Sequence, residues 1–113
     1  MISKTFVFSK IQKTPSLIES SLNDWLKDHS FKFATQNESH LKGKFIVSLF
    51  AEEKPGTIRA KVFKDQHVEE LDKRVNEFLQ SVKMKFVSQT FVGSNVYSII
   101  FFDASKLDNS DQQ

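Results

Sequence analysis

The stretch IRAKVFKDQHVEELDKRVNEFLQSVKMKFVSQTFVGSNVYSIIFF, residues 58–102, decides the fold of this chain. Its middle predicts an amphipathic helix, because apolar residues recur at three- and four-residue steps. These residues are Val68, Leu71, Val75, Phe78, Leu79 and Val82. Before it, Ile58, Ala60 and Val62 alternate with Arg59, Lys61 and Phe63, as the residues of a half-buried strand do. After it, two apolar segments flank Gly93-Ser94-Asn95 and predict a hairpin.

The N-terminal half resembles the same β-α-β-β unit. Residues 22–26 (LNDWL) match residues 75–79 (VNEFL). At the same offset, residues 31–36 (FKFATQ) match residues 84–89 (MKFVSQ). One match lies in each predicted helix and the other in the strand that follows it, so the correspondence spans two elements.

Small slips in the connecting loops, where insertions cost little, extend the match to the other strands. They bring residues 7–8 onto 62–63 and residues 45–50 onto 97–102. The pattern predicts a tandem duplication with internal repeats at residues 1–53 and 58–105. The alternative is two unrelated halves that share only an amphipathic pattern.

The length of 113 residues suits one domain, residues 1–113. Each half alone is too small to bury much apolar surface, so we expect the halves to share one core. Twelve Phe, one Trp and one Tyr supply an aromatic interior. Residues 106–113 have little apolar content, and we expect them to form a flexible tail.

The expected fold class is α+β, with one mixed six-stranded sheet and two helices. Short helix connections imply that the first and second strands of each unit are parallel, with the third antiparallel to the second. Two helices on one side would leave the other sheet face uncovered, although several strands have apolar side chains pointing to both faces of the sheet. Such an uncovered face would mark an interface. The alternative is that the helices are divided between the two faces.

The residue types argue against several kinds of chemistry. The chain has no Cys, which excludes disulfides and thiolate metal sites. Its three His lack helical i,i+3 or i,i+4 spacing, so no metal is expected. The chain has no phosphate loop and no serine with a neighbouring base, so we expect no enzyme and no cofactor. It opens directly into strand alternation, so we expect a cytoplasmic protein without a membrane segment.

A family resemblance rests on five segments of the second half. They are Lys61-Val-Phe63, Val68-Glu-Glu-Leu71, Val75-Asn-Glu-Phe-Leu79, Lys85-Phe-Val87 and Tyr97-Ser-Ile-Ile-Phe101. Together, over about residues 59–103, they resemble a small family of compartment-specific sporulation proteins from endospore-forming bacteria. That family resembles one copy of the unit and has no established activity. The resemblance implies a compact, non-catalytic bacterial module. Short families of this kind also travel on phages and mobile elements.

Protein recognition is the first functional hypothesis. A small bacterial or phage protein could act as a regulator or inhibitor by pairing its uncovered face or its strand edges with another protein or a second copy. Asn23 and Asn76 recur at matching helix positions, and they would form two related polar patches if they faced outward.

Binding of single-stranded nucleic acid is the alternative, because bases stack on aromatic rings while cations meet phosphates. Lys32 and Lys85 hold matching places, and Lys61 and Lys44 adjoin Phe63 and Phe45. The net charge of +2 is low for a dedicated binder. The full candidate surface comprises Lys32, Lys44, Lys61, Lys85, Phe50, Phe63, Phe101, Asn23 and Asn76.

Overall fold

The computed structural model describes residues 1–9, 14–39, 44–92 and 95–105, with backbone only for residues 37–39 and 90–92. It contains six strands and two helices, so the α+β class is confirmed. They are β1 (Ile2–Phe8), α1 (Pro15–Leu26), β2 (Ser30–Ser39), β3 (Lys44–Glu52), β4 (Ile58–Asp65), α2 (Val68–Leu79), β5 (Met84–Val92) and β6 (Asn95–Asp103). The expected flexible tail, residues 106–113, lies outside the described residues.

The strands form two three-stranded sheets, with order β1-β3-β2 in the N-terminal sheet and β4-β6-β5 in the C-terminal sheet. Every hydrogen-bonded pair is antiparallel. The expected single mixed six-stranded sheet is therefore wrong. The first and second strands of each unit do run in the same direction, but the third strand lies between them. This order puts β6 at the centre, where its run from Val96 to Phe102 is buried on both faces.

The strands of the two sheets pair in equivalent registers. The pair Phe8–Phe45 in the N-terminal sheet corresponds to the pair Asp65–Val96 in the C-terminal sheet. The β2–β3 ladder shifts between Phe31 and Phe33, and the β5–β6 ladder shifts at the matching place, between Met84 and Phe86. Each helix has 12 residues. A tandem duplication would produce this correspondence, but the duplication itself stays a prediction.

The register corrects part of the sequence overlay. In the N-terminal sheet the ladder position of Phe63 is held by Phe6, not by Phe8. Each of these rings meets an aromatic ring of its own helix nearly edge-on. The Phe6–Trp25 centroids are 6.5 Å apart and the Phe63–Phe78 centroids 5.6 Å. The sequence comparison aligned residue types along the strand. It assigned the wrong pairing position because apolar side chains of this strand point to both faces of the sheet.

The larger core lies between the two sheets and includes α1. The buried helix residues Ile18, Leu22 and Leu26 pack there with one face of each sheet. Phe31 of β2 stacks on Phe101 of β6 with a centroid distance of 4.3 Å, which joins the two halves. Side chains of both halves thus form one continuous core.

A second, smaller core lies on the other side of the C-terminal sheet, under α2. It contains Phe63, Leu71, Val96 and Ile100. The C-terminal sheet is therefore covered on both faces. Within the described residues the N-terminal sheet has a helix on one face only, so the uncovered face weighed from the sequence occurs in this sheet and not in the C-terminal one.

Candidate functional site

The uncovered face of the N-terminal sheet is the candidate site. Strand alternation puts there the side chains that point away from the larger core. We call this set the open face: Ser3, Thr5, Val7, Phe33, Thr35, Ile46, Ser48 and Phe50. None of the eight carries a charge, although the same alternation places Lys44 and Glu52, at the two ends of β3, on this side of the sheet.

Two apolar groups flank a band of hydroxyl side chains on the open face. At one end Phe33 stacks on Phe50 with a centroid distance of 4.5 Å and an interplanar angle of 12°. At the other end Val7 pairs with Ile46 across β1 and β3. Between them Thr5 Oγ1 lies 3.1 Å from Ser48 Oγ. Phe33 is 40 % exposed and Val7 is exposed by half, so the apolar surface is accessible.

Asn23 does not form the outward polar patch expected from the sequence, because it joins α1 to the edge of β4. Its Nδ2 donates to the Ala60 carbonyl at 3.0 Å, and the Ala60 N–H donates to its Oδ1 at 2.7 Å. One turn earlier, Glu19 Oε2 accepts from the Val62 N–H at 3.0 Å. We call these three bonds the α1 clamp. They satisfy edge-strand backbone groups that would otherwise be open to another strand.

Asn76 holds the matching position on α2, and it is exposed. The same residue type thus serves different purposes in the two helices. Asn23 faces a strand edge supplied by the other half, whereas Asn76 has no such edge beside it among the described residues.

The candidate lysines are divided between different surfaces. Lys32 and Lys85 are brought together, because with Phe31 and Ile58 they line a shallow cavity of about 280 Å³ where β2 approaches β5. Lys61 lies elsewhere, with Nζ 3.7 Å from Glu19 and 6.0 Å from the centre of the Phe63 ring. Lys44 is exposed at the start of β3. One continuous basic and aromatic face is therefore not formed by these lysines.

Two of the candidate aromatics are packing residues. Phe63 lies in the core under α2 and Phe101 in the core between the sheets, so neither ring is available to a ligand. Phe50 is the one candidate aromatic that belongs to the open face. The candidates from the sequence do not include Val7 or Ile46. Alternation along β3 could have identified Ile46, had the covered face been known.

The Tyr97 hydroxyl offers a pH test of the core between the sheets. Burial raises the pKa of Tyr97 above its ordinary value, because the charged phenolate is poorly solvated there. A raised folded-state pKa means that this contribution to stability is complete below the unfolded-state pKa of about 10 and is lost as pH rises through the folded-state value. We expect the only tyrosine to ionise at higher pH in the folded than in the denatured protein.

Ultraviolet absorbance during alkaline titration measures this difference. Tyr97→Phe should remove this contribution to the alkaline loss of stability. Identical titration curves in buffer and in denaturant would contradict the buried position of the ring.

The described residues hold no group of three or more His, Asp or Glu side chains placed to bind a metal ion. Within the same ranges, neither helix has the length and apolar character needed to cross a membrane.

Comparison of the chain with protein-family models, with curated proteins and with solved structures found no match. The resemblance to sporulation proteins therefore stays a prediction.

Proposed function

We propose that this is a small, non-catalytic bacterial or phage protein that acts as a regulator or inhibitor by binding another protein through its open face. One observation carries the proposal: the open face is accessible and presents the Phe33–Phe50 stack and the Val7–Ile46 pair, whereas the same face of the C-terminal sheet is buried. Exposed apolar groups of this kind are typical of interaction sites in folded proteins.

The chemistry of the open face suits a protein partner. The Phe33–Phe50 stack is a rigid aromatic anchor, which is the type of residue that dominates binding energy in protein interfaces. The hydroxyls of Thr5 and Ser48 already bond each other, so burying them leaves fewer polar groups unpaired. The partner should place apolar or aromatic side chains against Phe33, Phe50 and Val7, because the charges on this side of the sheet, Lys44 and Glu52, lie at the ends of β3.

Photo-crosslinking tests the proposal in the cells that naturally produce the protein. We expect p-benzoylphenylalanine at Phe33 to give one reproducible protein adduct. The same group at Lys54, exposed in the β3–β4 connection, is the matched control and should not give that adduct. The purified partner should then bind the wild-type protein, and Val7→Asp should weaken that binding at least tenfold without unfolding the chain. Equal labelling from Phe33 and Lys54 would contradict the proposal.

Binding of single-stranded nucleic acid is a second candidate, favoured by the placement of Lys32 and Lys85 at one cavity. Phe31 in that cavity is buried, so the contact would be mainly with phosphates and would weaken with salt. Fluorescence anisotropy with a labelled single-stranded oligonucleotide tests it. Lys32→Glu with Lys85→Glu should abolish binding, while Lys73→Glu on the exposed side of α2 should have a smaller effect. Binding that does not change with salt would contradict this candidate.

A further inference from the structure

The contact between the two halves uses two different surfaces. The N-terminal half contributes α1 and the covered face of its sheet, including Phe31 and Ala34. The C-terminal half contributes the face of its sheet opposite α2, including Phe101. Such a contact between unlike surfaces is heterologous, so each half also carries the matching surface that it does not use here.

The C-terminal half carries an uncovered counterpart of the first surface. Met84 and Val87 pair with Phe102 and Ile100 at the ladder positions that Phe31 and Ala34 hold in the N-terminal sheet. Phe31 and Ala34 are 8 % and 4 % exposed, because the other half covers them. Met84 and Val87 are 45 % and 41 % exposed. Together with Asp72 and Asn76 on the exposed side of α2, they form what we call the donor end.

The open face is the uncovered counterpart of the second surface. Phe50 and Phe33 pair with each other at the positions held by Phe101 and Phe86 in the C-terminal sheet. Phe101 is fully buried against Phe31, whereas Phe33 remains exposed. The surface that would accept a donor end is therefore already present, and nothing in the described part of the chain occupies it.

The α1 clamp also has unused counterparts at both ends. Asp72 and Asn76 hold on α2 the places of Glu19 and Asn23, and both are exposed. Ser3 and Thr5 hold in the edge strand β1 the ladder positions of Ala60 and Val62. No side chain of the described residues bonds to the β1 backbone at these two positions. Asp72 and Asn76 could therefore bond to the β1 edge of a second chain as Glu19 and Asn23 bond to the β4 edge within one chain.

We infer that the partner of the open face is a second copy of this chain, bound head to tail through its donor end. The inference rests on the proposed function of the open face and adds the identity of the partner. The donor end and the open face are complementary because they correspond to the two surfaces that the N-terminal and C-terminal halves bury against each other. They lie on the outer layers of the molecule, so one chain cannot close the contact on itself. The assembly grows with concentration, because each bound copy still offers one unused end.

Sedimentation equilibrium with complementary variants tests the inference. Wild-type protein should increase in average mass with concentration from 13.1 kDa to beyond the dimer. Val87→Asp at the donor end and Phe33→Asp on the open face should each remain monomeric when alone, because every contact needs both an intact donor end and an intact open face. An equimolar mixture should form dimers, because each variant keeps one intact end. Lys54→Gln changes net charge by the same amount away from both ends and should behave as wild type.

Two results would overturn the inference in different ways. If Val87→Asp still self-associates while Phe33→Asp does not, the contact is a symmetric pairing of open faces, and the proposed function survives. If the wild-type protein stays at 13.1 kDa up to millimolar concentration, no second copy binds. The crosslinking experiment at Phe33 then decides separately whether a different protein uses the open face. Circular dichroism of each variant confirms that it remains folded.

Discussion

Replacing Phe101 with alanine is expected to lower the free energy of unfolding by about 3–5 kcal/mol, the usual cost of removing a buried phenylalanine ring. Phe101 is fully buried, stacks on Phe31 of the other half and contacts Phe86 of the neighbouring strand. Removing its ring opens a cavity where the halves meet. Urea unfolding measures the loss.

Phe33→Ala is the matched control, because Phe33 is an aromatic strand residue of the open face. Its truncation removes the partly exposed stack with Phe50 and should cost about 1 kcal/mol. If both substitutions destabilised the protein equally, Phe33 would be a core residue and the open face would not be open.

Asn23→Ala is expected to lower the free energy of unfolding by about 2 kcal/mol, because it leaves the Ala60 N–H and carbonyl without partners at a partly buried edge. The better helix propensity of alanine offsets a small part of the loss. Asn76→Ala, at the matching position of α2, should change stability by no more than about 0.5 kcal/mol.

Amide hydrogen exchange identifies the cause of the difference. In Asn23→Ala the Ala60 amide at the β4 edge should exchange faster, whereas Asn76→Ala should leave it unchanged. Equal destabilisation by the two substitutions would contradict the α1 clamp.

Local structure was well determined by the sequence. The apolar period from Val68 predicted α2, although the helix ends at Leu79 and not at Val82. The predicted hairpin is confirmed by the direct antiparallel pairing of β5 with β6, in which Asn95 is the first residue of β6. Residues 93–94 of the predicted turn lie outside the described residues. These features depend on interactions between residues close together in the chain. The expected mixed sheet was wrong because periodicity shows which side chains share a face, but not which strands are neighbours.

The candidate site was harder to predict for the same reason. Phe50 and Phe101 both lie in central strands with apolar residues at both parities, yet one is at the surface and the other in the core. Asn23 and Asn76 match in sequence, but only Asn23 meets a strand edge. In each pair the difference comes from contacts between the two halves, which no local pattern contains.

Hydroxyl-radical footprinting of the aromatic rings, at low and high protein concentration, tests the central claim about the open face most directly. At low concentration Phe33 should be oxidised much faster than Phe63 or Phe101, and its oxidation should slow as a partner covers the open face. Oxidation of Phe33 as slow as that of Phe101 would contradict an open face. Rapid oxidation that persists in the bound state would show that recognition takes place elsewhere on the molecule.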